Sequence, residues 1–304
     1  MSLLVIGKTG QLSRALARET DAQGVQAAFL DRQACDLSWP SERIRSALSL
    51  QLDKADAVIL SAAYTAVDKA EEEETAATAV NAEAPGIIAR LCAEHAVPIV
   101  HLSTDYVFAG EACEPYTSDH PVEPLNAYGR SKEAGERDVR AANPRHAILR
   151  TSWVYDGTNR NFLTTMLRLA EAHDRLTVVD DQIGRPTYAG DLARACLAAV
   201  RKLTGDSTFP GGTYHVSNTG DPVSWAGFAR AIFEAAGVDS VEVVGIPTVE
   251  YPTPAKRPAW SVMDVGAFEA AFGLDLPEWR NGLARAMAER DGTLSNGPTS
   301  KGTT

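Results

Sequence analysis

The sequence predicts an α/β fold in which a doubly wound parallel sheet is followed by a smaller C-terminal α/β domain. Residues 3–6 form a continuous apolar run, as expected of a strand buried on both faces, and a glycine turn and a helix-period segment follow it. Further apolar runs then alternate with helical patterns as far as about residue 150. In sheets of this kind, ligands bind beyond the carboxyl ends of the strands.

Composition excludes several classes of protein. The chain has 304 residues, of which 44% are hydrophobic and 23% charged, values typical of a globular protein with a sizeable core. Its net charge of −11 argues against nucleic acid or an anionic membrane as a partner. The four cysteines show no Cys-x-x-Cys spacing, so we expect neither a zinc site nor a disulfide framework. Without a signal-like segment or an apolar run of about 20 residues, a cytoplasmic protein is expected.

The first glycine turn is the expected phosphate site of a dinucleotide. Gly7 and Gly10 have Gly-x-x-Gly spacing, and Ser13 stands where a third glycine would complete the usual fingerprint. Strand, glycine turn and helix together direct backbone N–H groups and the helix dipole at a pyrophosphate. Lys8 lies inside the turn and no Gly-Lys-Ser/Thr occurs, so this is no nucleotide triphosphatase loop. A plain tight turn remains the alternative.

The second strand is expected to end near residue 30, followed by Asp31 and Arg32. An acid at this point accepts hydrogen bonds from the adenosine ribose, whereas an arginine receives a 2′-phosphate. With both residues side by side, the choice between NADH and NADPH stays open. Cys35, Asp36 and Leu37 either lie against the adenine or belong to an ordinary loop.

The third strand, residues 56–60, ends in small residues that allow a cofactor to come close to the backbone. These are Ala62 and Ala63, and Tyr64 follows them. The acidic run at residues 71–74 is interpreted as a solvated helical face rather than a metal site. A helix over about residues 75–95 should then lead into a strand at residues 97–102.

Chemistry-bearing residues follow that strand. Thr104 and Asp105 come first, and Tyr128 and Lys132 lie on one face of a predicted helix, one turn apart. A free phenol has a pKa of about 10, and a nearby ammonium favours the phenolate, which makes the group a usable acid or base. The Tyr-x-x-x-Lys pattern alone also fits an ordinary surface pair, but its position after a dinucleotide fold favours catalysis.

Six segments together resemble the extended short-chain dehydrogenases and, more narrowly, the dTDP-4-dehydrorhamnose reductase family: residues 7–12, 65–71, 103–108, 128–132, 150–155 and 184–187. The resemblance runs in order from residue 1 to about 290. It implies reduction of the 4-keto group of dTDP-4-dehydro-6-deoxy-L-mannose to dTDP-L-rhamnose, with NADPH or NADH as cofactor. A 4-ketoreductase of another dTDP-deoxysugar and a non-catalytic regulatory subunit remain alternatives.

The resemblance also assigns roles to residues. Tyr128 would be the proton donor and Lys132 its partner, which also holds the nicotinamide ribose. Thr104 would hydrogen-bond the sugar oxygen. The cofactor would contact these two residues of the helix and Gly7, Gly10, Gln11, Leu12, Asp31, Arg32, Asp36, Leu37, Ala62, Ala63 and Tyr64. The substrate residues would be Thr104, Asp105, Trp153, Asn161 and Arg257.

Asn161 is placed either to meet a diphosphate or to cap a helix. The resemblance makes the proline-rich loop around Arg257 one wall of the nucleotide-sugar site, with Arg257 as a diphosphate contact. Two positions depart from the family pattern. Trp260 stands where the family has asparagine. Some members bind Mg²⁺ through acidic residues at a dimer contact, but Gly190 takes one such position beside Asp191, so Mg²⁺ is doubtful here.

The predicted organisation has three parts. Residues 1–150 form a Rossmann-like NAD(P)-binding domain, and residues 151–290 mainly form the nucleotide-sugar domain, with some segments returning to the first. Residues 291–304 have no apolar period and are expected to be a disordered tail. A homodimer is a possible assembly.

Overall fold

The computed structural model describes residues 1–292, so the predicted disordered tail lies outside the described residues except for its first two positions. The strands are β1 (Ser2–Ile6), β2 (Gln26–Leu30), β3 (Ala57–Leu60), β4 (Ile99–Thr104), β5 (His146–Thr151), β6 (Val154–Tyr155), β7 (Arg175–Val179), β8 (Ile183–Gly184), β9 (Thr187–Tyr188), β10 (Gly212–His215), β11 (Val223–Ser224) and β12 (Glu242–Ile246). The helices are α1 (Gln11–Ala22), α2 (Ser41–Leu52), α3 (Val67–Ala70), α4 (Glu74–Thr78), α5 (Ala84–Glu94), α6 (Ala127–Ala142), α7 (Phe162–Ala170), α8 (Ala189–Gly205), α9 (Trp225–Ala236), α10 (Gly266–Phe272) and α11 (Trp279–Arg290).

Six strands form one parallel sheet in the order β10–β5–β4–β3–β1–β2. The strand order reverses between β1 and β3, so the chain leaves these two strands in opposite directions and opens a crevice beyond their carboxyl ends. The predicted doubly wound parallel sheet is therefore confirmed.

Both faces of this sheet are buried under helices. Along β1, Leu3 and Val5 belong to the hydrophobic cluster that includes residues of α1, α8 and α10. The alternating residues Leu4 and Ile6 belong to the cluster that includes residues of α2, α5 and α6. A strand whose every residue is buried must be apolar throughout, which is the pattern of residues 3–6.

The later part of the chain builds a second core and also returns to the first sheet through α8, β10 and α10. Leu163 of α7, Phe228 of α9 and Leu283 of α11 share a separate cluster, flanked by the parallel pair β7–β12. Strand β10 joins β5 at the edge of the large sheet, and α8 packs on its face. The division near residue 150 stays a prediction. In the described part of the chain, every helix is too short or too polar to cross a bilayer.

Two element boundaries differ from the predictions. Strand β4 extends to Thr104, so this residue closes the strand rather than following it. The helix predicted over residues 75–95 is divided by a π-helical turn, Ala79–Glu83, between α4 and α5. Pro85 has no N–H to donate to the Asn81 carbonyl four residues earlier, which favours a local change in hydrogen bonding.

Candidate active site

The turn after β1 brings its backbone close to the end of β3. Gly7 has φ +124°, and a Cβ atom there would lie 2.4 Å from Ser61 Oγ, so glycine is required. The Ser13 and Ser61 hydroxyl oxygens are 3.0 Å apart, which fixes the first turn of α1 against β3. Gly10, the N-cap of α1, provides no side-chain cap, so the first helical N–H groups remain available to an anion.

A cleft of about 580 Å³ runs along this turn and brings together most of the predicted cofactor residues. Those that line it are Gly7, Gly10, Asp31, Arg32, Asp36, Leu37, Ala62, Ala63 and Tyr64. Cys35, expected beside Asp36 and Leu37, also lines the cleft. Lys8 and Val80 line it too and were not among the predicted cofactor residues. Burial raises the pKa of the Cys35 thiol to about 11, so it stays protonated near neutral pH.

Two predicted cofactor residues turn their side chains away from the cleft. The Gln11 amide donates to the Val154 carbonyl at 3.3 Å and accepts from the Asn161 amide at 2.9 Å. Leu12 packs against the core on the α1 side of the sheet. A cofactor contact of either residue would therefore involve its backbone.

At the adenosine end of the cleft, the carboxylates of Asp31 and Asp36 already have hydrogen-bond or ion-pair partners within the chain. Asp31 Oδ1 accepts from the backbone N–H groups of residues 33 and 34, and Asp31 Oδ2 lies 3.7 Å from Lys8 Nζ. Arg32 Nε donates to Asp36 Oδ2 at 2.9 Å, and its side chain is 80% exposed. Two exposed cationic side chains, Lys8 and Arg32, thus line this end of the cleft, where either could bind a ribose 2′-phosphate.

Helix α6 carries the predicted catalytic pair against the end of β4. Asn126 caps the helix by accepting from the Gly129 N–H at 2.8 Å. Lys132 is buried and donates from Nζ to the Leu102 carbonyl at 2.5 Å. The Tyr128 ring stands edge-on to Tyr106 at 5.6 Å.

The acidic run at residues 71–74 is largely exposed, as expected, but it also binds specific partners. Glu71 Oε1 accepts from the Ala127 N–H at 2.8 Å and so caps the helix that carries Tyr128. Glu73 accepts from the Tyr64 hydroxyl at 2.8 Å, and Glu74 pairs with Arg130. These contacts were not predicted because the partners lie up to 56 residues away in the chain, where no local pattern indicates them.

Burial governs the protonation of the catalytic groups. It raises the pKa of Tyr128 to about 12, with hydrogen bonding by Thr104 acting in the opposite direction and the Asp105 carboxylate adding to the rise. Burial also lowers the pKa of Lys132 to about 8 and raises the pKa of Asp105 to about 6. The expected net lowering of the Tyr128 pKa by Lys132 is therefore not found, and the phenol is a proton donor over the whole neutral range.

Trp153 is held in a strained conformation beside this end of the sheet. Its φ is +49°, which is rare for a bulky residue and marks a position that its surroundings impose. Its ring stacks on Trp225 at 3.5 Å, with an angle of 8° between the planes. A Cβ at Gly184 would lie 2.7 Å from the Trp153 ring, so the glycine makes room for it.

Asn161 caps α7. Its side chain accepts from the Thr164 N–H at 3.1 Å, the Thr164 hydroxyl accepts from the Asn161 N–H at 3.1 Å, and the pair forms a capping box. The Asn161 amide also donates to Gln11 and to the Asp156 carbonyl. The structure supports the cap, and a diphosphate contact of Asn161 stays a prediction.

The proline-rich segment at residues 247–258 and the residues that follow it are held by two side-chain contacts. Arg257 forms a two-point ion pair with Asp68 of α3, with N–O distances of 2.9 and 2.8 Å. Trp260 donates from Nε1 to the Glu114 carbonyl at 2.9 Å. The predicted diphosphate contact of Arg257 would therefore have to share this guanidinium with Asp68, a partner that the sequence did not indicate.

Gly190 and Asp191 stand where the family resemblance suggested a metal-binding acid. A Cβ at Gly190 would lie 2.4 Å from the Tyr188 ring, so an acid does not fit there without rearrangement. The adjacent Asp191 carboxylate is buried and bound by Arg194 and Arg285. Among residues 1–292, no group of three or more His, Cys, Asp or Glu side chains could hold a metal ion.

A dinucleotide-sized cleft lies at the β1–β3 crevice, and the Tyr-x-x-x-Lys pair of α6 packs near Tyr64 of that cleft. Together they define an oxidoreductase of the short-chain dehydrogenase class. Solved structures agree. The chain superposes on a dTDP-4-dehydrorhamnose reductase from Clostridium acetobutylicum with a TM-score of 0.88, at 37% identity and covering 96% of this chain and 100% of that one. The Bacillus anthracis enzyme, in complex with NADP, gives a TM-score of 0.87 at 35% identity, covering 95% and 99%.

Sequence comparisons identify the family. A family model described as "RmlD substrate binding domain" matches residues 1–291. Two curated proteins named dTDP-4-dehydrorhamnose reductase are 42% identical (Sinorhizobium fredii, 94% of this chain and 97% of the relative) and 36% identical (Escherichia coli, 95% and 98%). The chain belongs to the dTDP-4-dehydrorhamnose reductase family.

Proposed function

We propose that the protein reduces the 4-keto group of dTDP-4-dehydro-6-deoxy-L-mannose, using NADPH or NADH, and releases dTDP-L-rhamnose. The observation that carries this function is the set of Thr104, Tyr128 and Lys132 in a chain of this family. Thr104 and Lys132 are buried, and the half-buried Tyr128 packs in one cluster with Tyr64, which lines the dinucleotide cleft. Homodimer formation and a cytoplasmic location remain predictions from the sequence.

The cleft fits a nicotinamide dinucleotide. The space beside Gly7 that a Cβ would fill, the uncapped N-terminus of α1 and the small residues Ala62 and Ala63 suit a pyrophosphate and its riboses. Lys8 and Arg32 suit a 2′-phosphate, and the Bacillus anthracis relative was solved in complex with NADP. When bound, the reduced nicotinamide supplies a hydride to the sugar C4.

The chain itself supplies the proton and stabilises the developing charge. Tyr128 holds its proton at neutral pH, because its pKa is about 12, and donates it to the sugar O4 as that oxygen becomes basic. The Thr104 hydroxyl hydrogen-bonds the same oxygen, where negative charge accumulates. Lys132, as an ammonium, stabilises the phenolate that remains on Tyr128 and holds the nicotinamide ribose. A general acid of this kind contributes roughly 10²–10⁴ in rate.

The direct test offers dTDP-4-keto-6-deoxy-L-lyxo-hexose with NADPH or NADH and identifies the sugar by NMR. We expect dTDP-L-rhamnose and oxidised cofactor in equal amounts. A C4 epimer of that product would identify a 4-ketoreductase of another dTDP-deoxysugar, an alternative to which the Trp260 departure points. No turnover with either cofactor would favour a non-catalytic subunit on the same scaffold.

A further inference from the structure

Helix α6 carries a third ionisable side chain, Glu136, on the same face as Tyr128 and Lys132. Tyr128, Lys132 and Glu136 follow one another at intervals of four residues and therefore lie on one face of the helix. Glu136 is only 1% exposed. A buried carboxylate costs several kcal/mol of desolvation, so its presence requires specific partners.

The partners of Glu136 come from β4 and β5. Ser103 donates its hydroxyl to Glu136 Oε1 at 2.6 Å. Arg150 approaches edge-on, with Nε 2.8 Å from Oε1 and a terminal nitrogen 2.7 Å from Oε2, the two-point geometry that makes such pairs strong. The more exposed Arg140 lies 3.6 Å from Oε2. Both carboxylate oxygens are thus satisfied by groups outside α6.

Successive turns of α6 hold successive residues of β4. Lys132 binds the carbonyl of Leu102, and Glu136 binds the hydroxyl of Ser103. The next residue is Thr104, whose hydroxyl is adjacent to the Tyr128 phenol in the proposed reaction. The two contacts fix both the rotation of α6 and its position along the strand, and so set the distance between Thr104 and Tyr128.

Arg150 extends the same support to the segment after β4. Its free nitrogen donates to the Ser118 carbonyl at 3.2 Å, and its guanidinium lies 5.0 Å from the centre of the Phe108 ring. Phe108 and Ser118 belong to the chain that leaves Thr104. The ion pair therefore connects α6, two strands and this segment through a single buried cluster.

Charge is the second contribution of Glu136. Burial lowers the pKa of Lys132, and Glu136 is the charged group that raises it again. The other groups near Lys132 carry no opposing negative charge: His101 of β4 is neutral, because burial holds its pKa well below 6.5, and Tyr128 is protonated. Asp105, on the segment after β4, acts on Tyr128, and Arg150 of β5 is bound to Glu136.

We propose that Glu136, held by Arg150, is a positioning residue of this reductase that docks α6 on β4 through Ser103 and keeps Lys132 an ammonium in the active site. The proposal rests on the proposed function for its kinetic consequence. The effect of Glu136 on cofactor binding does not depend on the proposed function, because binding can be measured without turnover.

The test is Glu136→Gln, which keeps the shape of the side chain and a hydrogen bond to Ser103 but removes the charge. Since Glu136 raises the pKa of Lys132, its loss makes Lys132 deprotonate at lower pH. The ratio of kcat/KM at pH 6.5 to that at pH 9 should rise about tenfold, the effect of one neighbouring full charge. Glu133→Gln removes a carboxylate from the same helix, one paired with Arg137, and should leave this ratio unchanged.

A double variant distinguishes an effect of Glu136 on Lys132 from the general destabilisation that an unpaired Arg150 would cause. Glu136→Gln alone leaves a buried guanidinium unpaired and should lower Tm, whereas Glu136→Gln with Arg150→Met removes both charges and should recover much of the Tm. We expect the double variant to keep the altered pH profile. A wild-type profile in the double variant, or in Glu136→Gln itself, would overturn the proposal.

Cofactor binding distinguishes failure of this proposal from failure of the proposed function. NADPH affinity, measured by calorimetry without sugar at pH 6.5 and pH 9, should fall more steeply with pH in Glu136→Gln than in the wild type. If the wild type does not reduce the keto-sugar, the proposed function fails, but this comparison still decides the role of Glu136. Equal pH dependence of binding in the two proteins would count against it.

Discussion

Burial shifts the pKa values of three ionisable side chains around Thr104: it raises those of Tyr128 and Asp105 and lowers that of Lys132. Tyr128 remains a phenol and Lys132, with a pKa of about 8, is the first of the two to change charge as the pH rises. Asp105, with a pKa of about 6, loses its proton below neutrality. At pH 7 the site thus combines a proton donor, an ammonium and a carboxylate.

This order of titration predicts the alkaline limit of activity. The kcat/KM for the keto-sugar should fall as the pH rises through about 8, because Lys132 loses the charge that stabilises the Tyr128 phenolate. A pH series with saturating NADPH measures it. Activity that is constant up to pH 10 would show that the ammonium is not required.

Tyr128→Phe tests the proton donor. The change removes one oxygen and keeps the ring that packs against Tyr106, so turnover should fall at least 100-fold while NADPH affinity changes little. Lys132→Ala, in contrast, should weaken NADPH binding as well. Near-normal turnover of Tyr128→Phe on the keto-sugar would make the phenol structural.

Arg32→Ala tests the cofactor preference. The guanidinium is exposed at the adenosine end of the cleft, so its removal should raise the KM for NADPH more than the KM for NADH, since only NADPH has a 2′-phosphate to lose. Lys8→Ala is the matched variant, because Lys8 is the other cation that lines this end of the cleft and lies 3.7 Å from Asp31. An equal loss for both cofactors would show that Arg32 does not reach the phosphate.

At the scale of elements, α6 is positioned by a close contact with the π-helical turn before α5. A Cβ at Gly135 would lie 2.0 Å from the Asn81 carbonyl oxygen. The same turn places the Asn81 amide, which donates to the Tyr64 carbonyl at 3.0 Å and to the Ser131 hydroxyl at 2.9 Å. One irregular turn therefore connects the cofactor cleft to the helix that carries Tyr128.

Gly135→Ala should destabilise the protein by about 1–3 kcal/mol, the usual cost of forcing extra volume into a packed contact. It should also lower turnover, because α6 must move. Gly205→Ala, at the end of α8 with nothing within 4 Å, is the matched control and should be neutral or slightly stabilising. Urea unfolding measures both. Equal stability of the two variants would contradict the tight contact.

Elements and residues with a local sequence pattern were predicted correctly, whereas contacts between residues far apart in the chain were not. The apolar run of β1, Gly7 and the spacing of Tyr128 and Lys132 follow from periodicity, turn chemistry and family resemblance. The pairing of Asp68 with Arg257 joins residues 189 apart in the chain, and no periodic pattern carries such information. The π turn was missed because a proline inside a helical pattern does not say how the freed carbonyl will be satisfied.

At the scale of the whole molecule, charged clusters connect the two cores. Asp191 at the start of α8 binds Arg285 of α11 and the Asn218 amide. Arg18 of α1 lies 2.7 Å from Glu289 of α11. Guanidinium groups thus neutralise the buried carboxylates in this region.

We therefore predict that activity survives chelation of divalent ions. Dialysis against EDTA should leave kcat and Tm unchanged, because the Asp191 carboxylate already has two cationic partners. Loss of activity that Mg²⁺ restores would indicate a site at a subunit contact. Sedimentation at the same protein concentrations, with and without EDTA, would show whether assembly depends on the ion.

Strand β10 has a consequence for biosynthesis, because it lies next to β5 in space but about 60 residues later in the chain. While the ribosome completes that interval, roughly 3–13 s at usual elongation rates, the nascent sheet has an unpaired edge at β5 and lacks α8 on one face. The nucleotide-binding half therefore cannot mature as soon as residue 150 emerges. A fragment ending there should aggregate, and the full chain should depend on chaperones early in translation.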